Sequence, residues 1–277
     1  MKSVPGPHHK REDADINLPV NDTPRHAADS EVAITLVVPV YEEEANIVPF
    51  VEEVKATLTI PYQIVIIYDR DTDGTLNKRD AVLAVDPTAA FVRNAGGSGV
   101  INAFRTGFDV AKTRYVVPMM ADMSDTPSTI LDMYRKIGEG YDLVVGSRYC
   151  EGGRKVGGPY IKYLLSIMAN RTLHRLTGIP THDMTNAFIM YRKEVLDNIH
   201  IRSSGGFEVT MELIAKAYIL GYKITEVPTV NRDRAAGKSS FQLLKWIRNY
   251  LYWYFYILIY SVVSRINAHY VRDTRKS

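Results

Sequence analysis

The sequence predicts an α/β protein: a mainly parallel sheet flanked by helices, followed by an amphipathic C-terminal helix. Three observations carry that expectation. Short, uninterrupted apolar runs, the mark of strands covered on both faces, recur from residue 33 onward. Segments of helical period separate them, which implies right-handed βαβ crossovers. Turn-forming and acidic residues follow one run after another, as they would along the carboxyl rim of such a sheet, where ligands bind.

The elements follow in order. AITLVVPV (33–40) reads as a buried strand, and Glu44 to Leu58 as a helix with Ile47, Phe50, Val51, Val54 and Leu58 on one face. QIVIIY (63–68) and AFV (90–92) are the next strands. Gly99 to Ala111 is a helix whose small residues Ala103, Gly107 and Ala111 form a stripe suited to close packing on a sheet. RYVVPMM (114–120) and YDLVVG (141–146) are strands on either side of the helical ILDMYRKIG. In the second half, 162–178 is a helix ended by Gly178, NAFIMYR (186–192) a strand, 206–221 a helix capped by Gly221, and YKITEVPTV (222–230) a single strand. These are expected to complete one face of the same domain.

Composition narrows the class. With 23% charged and 46% hydrophobic residues over 277 positions, the chain can bury a sizeable core. A net charge of +3 is too small to argue for nucleic acid, and none is expected as a partner. The single cysteine, Cys150, excludes an internal disulfide framework and fits a reducing compartment. Residues 1–31 are polar, proline-broken and without period, and are expected to form a disordered arm. They hold no apolar stretch of the kind a secretory signal needs. His8-His9 falls in this arm and reads as a solvated pair rather than a metal site.

PVYEEE follows the first strand, DRDTDGT (69–75) the second, ADMSD the fourth and GSRY the fifth, so acidic groups gather at one rim. Asp122 and Asp125, flanking Met123-Ser124, admit two readings. As a loop carboxylate pair they would hold magnesium or manganese, with substrate phosphates supplying further oxygens. Alternatively, Asp125 before Thr126-Pro127 caps the helix that begins there. Asp69, beyond the second strand, either accepts hydrogen bonds from a nucleobase or ribose or belongs to an acidic surface turn. RNAGGSG (93–99), glycine-rich before a helix, suits anion contact through backbone N–H groups.

Taken in order, the motifs resemble a known family. Pro39-Val40-Tyr41-Glu42-Glu43 with Asn46-Ile47 matches a P-x-Y-N-E opening. Tyr68 to Thr75 matches D-D-x-S-x-D-G-T, and Met120 to Pro127 matches D-A-D-x-x-x-x-P. Gly146-Ser147-Arg148-Tyr149 with Gly152-Gly153, Asp183 before Asn186-Ala187-Phe188, and Arg234-x-x-Gly237-x-Ser239 complete the set. From about 33 to 241 the chain resembles glycosyltransferase family 2 with its GT-A fold, most of all the dolichol-phosphate mannose synthase and polyprenyl-phosphate glycosyltransferase branch. Two positions depart from the pattern. Met120 stands where the metal segment has its first aspartate, so either Asp122 with Asp125 replaces the missing D-x-D or metal binding is weaker. Tyr68 stands where the second motif has its first aspartate, leaving Asp69 for the base.

The resemblance implies an inverting transfer of a sugar from a nucleotide-diphosphate donor to a polyprenyl (dolichyl-type) phosphate. By that likeness Pro39, Tyr41, Glu43, Asp69 and Asp122 bind the nucleotide-sugar, and Asp122 with Asp125 holds Mg2+ or Mn2+. Arg148, Arg234 and Lys238 meet the acceptor phosphate, and Asp122, Asp183, Arg148 and Arg234 carry the catalysis. Asp183 would act as general base on a hydroxyl acceptor, whereas an acceptor phosphate, already anionic, needs no strong base. Two other readings stand beside this one: a family 2 enzyme with a saccharide or protein hydroxyl acceptor, and a degenerate membrane scaffold suggested by Met120 and Tyr68.

The domain is expected to span 32–241, with an aromatic helix and basic tail over 242–277. NYLYWYFYILIYSVVS (249–264) holds sixteen uncharged residues, five of them tyrosines. As a helix it would reach about 24 Å, short of a ~30 Å hydrocarbon core. Its tyrosines and Trp253, with Lys245, Arg248, Arg265, Arg272, Arg275 and Lys276 around them, predict a helix in the membrane interface. Gln242 to Trp246 looks like the Q-x-x-R-W box of processive relatives, with lysine for arginine, and is read as the start of that helix. The expected location is the cytoplasmic face of a membrane, peripheral or monotopic. A homo-oligomer or a small membrane subunit is left open as partner.

Overall fold

The computed structural model describes residues 32–158, 160–233 and 247–261. Arg234, Lys238 and the segments 1–31, 234–246 and 262–277 lie outside the described residues, and with them the disordered-arm reading, the Gln242–Trp246 box and the basic tail.

In chain order the elements are β1 (Ile34–Val40), α1 (Ile47–Thr57), β2 (Tyr62–Tyr68), α2 (Arg79–Val85), β3 (Ala90–Arg93), α3 (Val100–Val110), β4 (Tyr115–Pro118) and α4 (Thr129–Gly138). There follow β5 (Leu143–Ser147), β6 (Arg154–Val156), α5 (Tyr160–Thr177), β7 (Ile189–Arg192), α6 (Lys193–Asn198), α7 (Val209–Ile219), β8 (Ile224–Pro228) and β9 (Val230–Arg232). Residues 247–261 form a further helix, α8. One seven-stranded sheet has the order β3-β2-β1-β4-β7-β5-β8, and β6 pairs with β9 in a separate small sheet.

The alternation within β1 explains why its run is apolar throughout. Ile34, Leu36, Val38 and Val40 enter the core on the side of α1 and α4, while Val37 enters the opposite core with α3 and α7. A strand covered on both faces has no solvent side to be polar on. The one polar residue among them, Thr35, is fully buried and bonds the Thr113 hydroxyl at 2.7 Å.

The small-residue stripe has a measurable reason at Gly107. A Cβ placed there would meet Cγ1 of Val37 at 2.1 Å, so α3 can lie this close to β1 only without a side chain. Gly107→Ala would gain about 1 kcal/mol of helix propensity. The clash with a β-branched strand residue outweighs it, so a net loss of about 1–3 kcal/mol is expected in urea unfolding.

Three features differ from the sequence reading. β7 runs antiparallel between β4 and β5, whereas the other ladders of the large sheet are parallel. The run 222–230 is two strands rather than one. Buried Thr229 donates its N–H to the Ser147 carbonyl at 3.0 Å and accepts from the Arg154 N–H at 2.9 Å, which transfers the chain from β5 to β6. Finally, a 3-10 turn at Gly74–Lys78 leads into α2. It is seeded by Asp73, whose carboxylate accepts the Thr75 N–H at 2.9 Å.

No described helix is long and apolar enough to cross a membrane. α8 instead buries Trp253 and Ile257 in the core shared with α7, and Tyr254 hydrogen-bonds Thr172 of α5 at 2.7 Å. Its other face leaves Leu251, Tyr252, Phe255 and Ile259 exposed, beside an α5 that exposes Tyr160, Ile161, Leu164, Leu165 and Met168.

Candidate active site

The rim at the carboxyl ends of β1, β2, β4 and β5 is built as a set of mutually tied loops. After β1, the Glu42 N–H donates to both oxygens of buried Asp73 at 3.2 Å, and the Glu43 N–H to the Thr75 hydroxyl at 3.0 Å. Asp73, Gly74 and Thr75 therefore join the first two rim loops. Glu43 is itself nearly buried and accepts from the Asn46 amide at 2.6 Å. Pro39 is buried within β1, two residues past the end of its pairing with β4. Tyr41 is 55% exposed, with the Arg70 guanidinium 5.0 Å over its ring and Glu42 on that guanidinium at 2.7 Å.

Asp69 organises the glycine-rich loop before α3. One of its oxygens takes the Asn94 amide at 2.8 Å and the other the Gly99 N–H at 2.9 Å. Each oxygen keeps a second lone pair with which to accept from a ligand.

The acid pair follows β4. Asp122 accepts the Ser124 N–H at 3.1 Å, and Met123 between them adopts the left-handed conformation at φ 60°, which turns the chain back on itself. The helix-cap alternative for Asp125 fails, because α4 starts two residues later than Pro127 and its N-cap is Ser128. Asp125 is buried and accepts the Asn231 amide from β9 at 3.0 Å. Burial pushes its carboxyl up to about 6 against the pull of Asn231; Asp122 and Asp183 push the same way, and Arg148 opposes them. Residues more than a hundred positions apart in sequence thus share one electrostatic site.

Arg148 is the cation of that site. Its Nε donates to Asp183 Oδ2 at 2.7 Å, one Nη to Oδ1 at 2.9 Å, and its backbone N–H to Oδ2 at 3.1 Å. Burial works against the charge of the guanidinium, and the fully buried Asp183 carboxylate more than offsets it, so its pKa is raised. Asp183 also accepts from the Thr185 N–H and hydroxyl. Gly153 permits this geometry, since a Cβ there would lie 2.4 Å from the Ser147 carbonyl oxygen. Thr185, Ser166, Asn170 and Tyr149 extend the network: Nη2 of Arg148 reaches the Thr185 hydroxyl at 2.9 Å, and Tyr149 reaches Ser166 at 2.8 Å. Sequence reasoning missed Ser166, Asn170, Thr185 and Asn231. Asn170, a buried polar residue within an apolar helix stretch, was the one available signal.

A cavity of about 480 Å³ opens between α5 and α8. Leu165, Met168, Met211, Leu251 and Tyr254 make its wall apolar, and Arg148 and Lys155 bring positive charge to it.

Among the described residues no three His, Cys, Asp or Glu side chains group closely enough to hold a metal by themselves. The chain offers two carboxylates, Asp122 and Asp125, the second buried at an electrostatic cost that a cation would relieve. That donor set fits magnesium or manganese, which commonly take one or two carboxylates and complete their shell with water and substrate phosphate.

The fold and these motifs can be set beside known proteins. Among solved structures, glucosyl-3-phosphoglycerate synthase from Mycobacterium tuberculosis, crystallised with Mn2+, UDP and glucosyl-3-phosphoglycerate, superimposes with TM-score 0.60 at 17% identity. The match covers 84% of this chain and 80% of that one. The same enzyme with Mg2+ and UDP gives TM-score 0.59. At this identity the likeness establishes the GT-A architecture. Polyprenol monophosphomannose synthase of Mycolicibacterium smegmatis is 30% identical over 211 residues, 74% of this chain and 79% of that protein. Dolichol-phosphate mannosyltransferase of Pyrococcus furiosus is 28% identical over 231 residues, 79% of this chain and 64% of that protein, which is under two thirds of its length. The profile described as glycosyl transferase family 2 matches residues 35–199, from β1 to beyond α6, and so takes in the acid pair, Arg148 and Asp183. A sheet of this order with these rim motifs in that stretch makes the chain a glycosyltransferase of family 2.

Proposed function

We propose that the chain transfers a sugar from a nucleoside-diphosphate sugar to a polyprenyl phosphate, with inversion at the anomeric carbon, at the cytoplasmic face of a membrane. The observation that carries this reading is the apolar cavity between α5 and α8, into which the Arg148 guanidinium is built. A water-soluble saccharide has no use for such a wall, whereas an isoprenoid chain ending in phosphate matches both its parts. The names of the mannosyl-transferring relatives support the same acceptor class.

In this mechanism a phosphate oxygen of the acceptor attacks the anomeric carbon as the bond from that carbon to the diphosphate oxygen breaks. The electron pair leaves with the nucleoside diphosphate. No proton need be removed, because the attacking oxygen is already anionic. Asp183 supports this version: its carboxylate is fully buried and committed to Arg148 and Thr185, so it orients the guanidinium rather than acting as a base. Arg148 would meet the acceptor phosphate through Nη1, the guanidinium nitrogen that Asp183 and Thr185 leave uncommitted, with Arg234 and Lys238 as further cations for it. Pro39, Tyr41, Glu43 and Asp69 would line the donor's nucleoside pocket. Asp122 and Asp125 would hold a divalent cation, which when bound neutralises charge on the departing diphosphate. The exposed apolar residues of α5 and α8 would rest in the interface.

The test is to incubate the protein with radiolabelled nucleotide-sugars and polyprenyl phosphate in phosphatidylcholine vesicles and partition the products. Label is expected in the organic phase, and label that stays aqueous with every donor defeats the lipid assignment. Leu165→Glu, placing a charge on the cavity wall, should raise KM for the lipid about tenfold or more while leaving donor affinity unchanged.

A further inference from the structure

A second cavity, of about 410 Å³, lies on the other side of α5. Its α5 residues, Tyr163, Ile167, Arg171, His174 and Arg175, follow one helical stripe, while those lining the first cavity, among them Leu165, Met168 and Thr172, fall on roughly the opposite stripe at 3.6 residues per turn. Arg148 touches both, so the two cavities meet only at that residue among the described ones.

The chemistry of this cavity is unlike that of the first. Arg171 and Arg175, one turn apart, have no carboxylate or hydrogen-bond partner among the described residues. The rings of His174 and His182 lie 3.9 Å apart by centroid. His174 Nδ1 faces the carbonyls of Ile179 and Thr181 at 3.0 and 3.1 Å, and His182 Nδ1 faces the Glu226 carboxylate. A carbonyl or carboxylate can only accept, so both rings carry hydrogen on Nδ1. Nε2 is then the nitrogen each ring has left, and neither has a partner among the described residues. Glu226 is already engaged by the His182 N–H and the Thr181 hydroxyl as well as by the ring.

Two imidazoles held by oxygen acceptors resemble the outer shell of a metal site. Rings whose centroids are only 3.9 Å apart, with planes tilted by 32°, however, lie face over face rather than edge to edge about a shared ion, and the two guanidiniums would repel a cation. An anion satisfies every group. We propose that this cavity is a binding site for a further phosphate group, meeting the acceptor's cavity only at Arg148 among the described residues, with Arg171 and Arg175 on its oxygens and the two Nε2 edges on its remaining valence. A neutral ring accepts from a hydrogenphosphate hydroxyl and a protonated ring donates to a phosphate oxygen, so the pair serves either form. The phosphate could belong to free orthophosphate or to a lipid headgroup, since α5 also carries the exposed apolar stripe.

The experiment is a titration of the full chain, with its histidine ring nitrogens isotopically labelled, by inorganic phosphate, followed by nuclear magnetic resonance. The His174 and His182 signals, assigned by His174→Gln and His182→Gln, should shift together and saturate. In Arg171→Gln/Arg175→Gln the midpoint should weaken about tenfold or more, as expected for loss of charge-assisted contacts. Arg171→Lys/Arg175→Lys should keep most of the affinity, which separates charge from folding. A parallel titration uses phosphatidylcholine vesicles with and without phosphatidic acid. A response to orthophosphate alone identifies a soluble ligand, and one to phosphatidic acid at lower phosphorus concentration identifies a headgroup. Either supports the site. Histidine signals that respond to neither, or a midpoint unmoved by the glutamine substitutions, overturn it. The readout needs no turnover, so its failure is distinct from failure of the acceptor assignment.

Discussion

Asp183→Asn is expected to lower turnover with a lipid-phosphate acceptor by at least ~100-fold and to reduce stability by about 3–5 kcal/mol, the usual effect of leaving a buried partner charge uncompensated. The substitution removes the anion against which Arg148 is aligned by three hydrogen bonds, at a position with no exposure. In a protein of this size the melting temperature should fall by about 10 °C. Donor binding, measured by nucleotide titration of protein that remains folded, should be unchanged. The residual activity should keep the pH dependence of the parent, because a positioning group carries no proton in the reaction; a general base would take a limb of the pH profile with it. Arg148→Lys provides the complement. It preserves charge but not the fork that meets Asp183 and Thr185 together, so the KM for acceptor should rise while Asp183 stays buried beside a cation.

Asp125→Asn should separate stability from activity in the opposite direction. Burial raises the Asp125 carboxyl from 3.8 to about 6. Since the folded protein holds this proton more tightly than the unfolded chain, the group's contribution to stability is fully present below about pH 4 and is lost as pH rises through about 6. At neutral pH the buried carboxylate costs on the order of 3 kcal/mol. Asparagine keeps an oxygen for the Asn231 amide and carries no charge. In chelator-treated protein it should therefore melt higher at pH 7 by several degrees, with the gain vanishing below about pH 4. Manganese should stabilise the parent but not the variant, and turnover of the variant should fall at least ~100-fold. A variant that melts no higher at pH 7, or that still responds to manganese, would remove Asp125 from the metal seat.

The amino-acid sequence alone determined the strands and helices whose periods are set locally. β1 is legible because both its faces meet apolar neighbours, and the rim was legible because loop after loop carried turn-formers and acids in motif order. It also carried the family motifs, and with them the GT-A fold and the class of reaction. Tertiary structure alone decided what those acids do. Asp69 read as a carboxylate for the base or part of an acidic turn and Asp73 only as part of its motif, yet Asp73 ties the first two rim loops and Asp69 holds the glycine-rich loop. Asp125 read equally well as cap or metal ligand, and the position of Ser128 and the burial against Asn231 removed the first option. The antiparallel β7 and the break at Thr229 left no local trace, because each depends on a partner far away in the chain, and of the polar network of Ser166, Asn170 and Thr185 only Asn170, polar within an apolar helix, gave a signal. Period and propensity are properties of neighbours in sequence. Charge pairing, strand direction and cavity walls are properties of neighbours in space, and only folding brings those together.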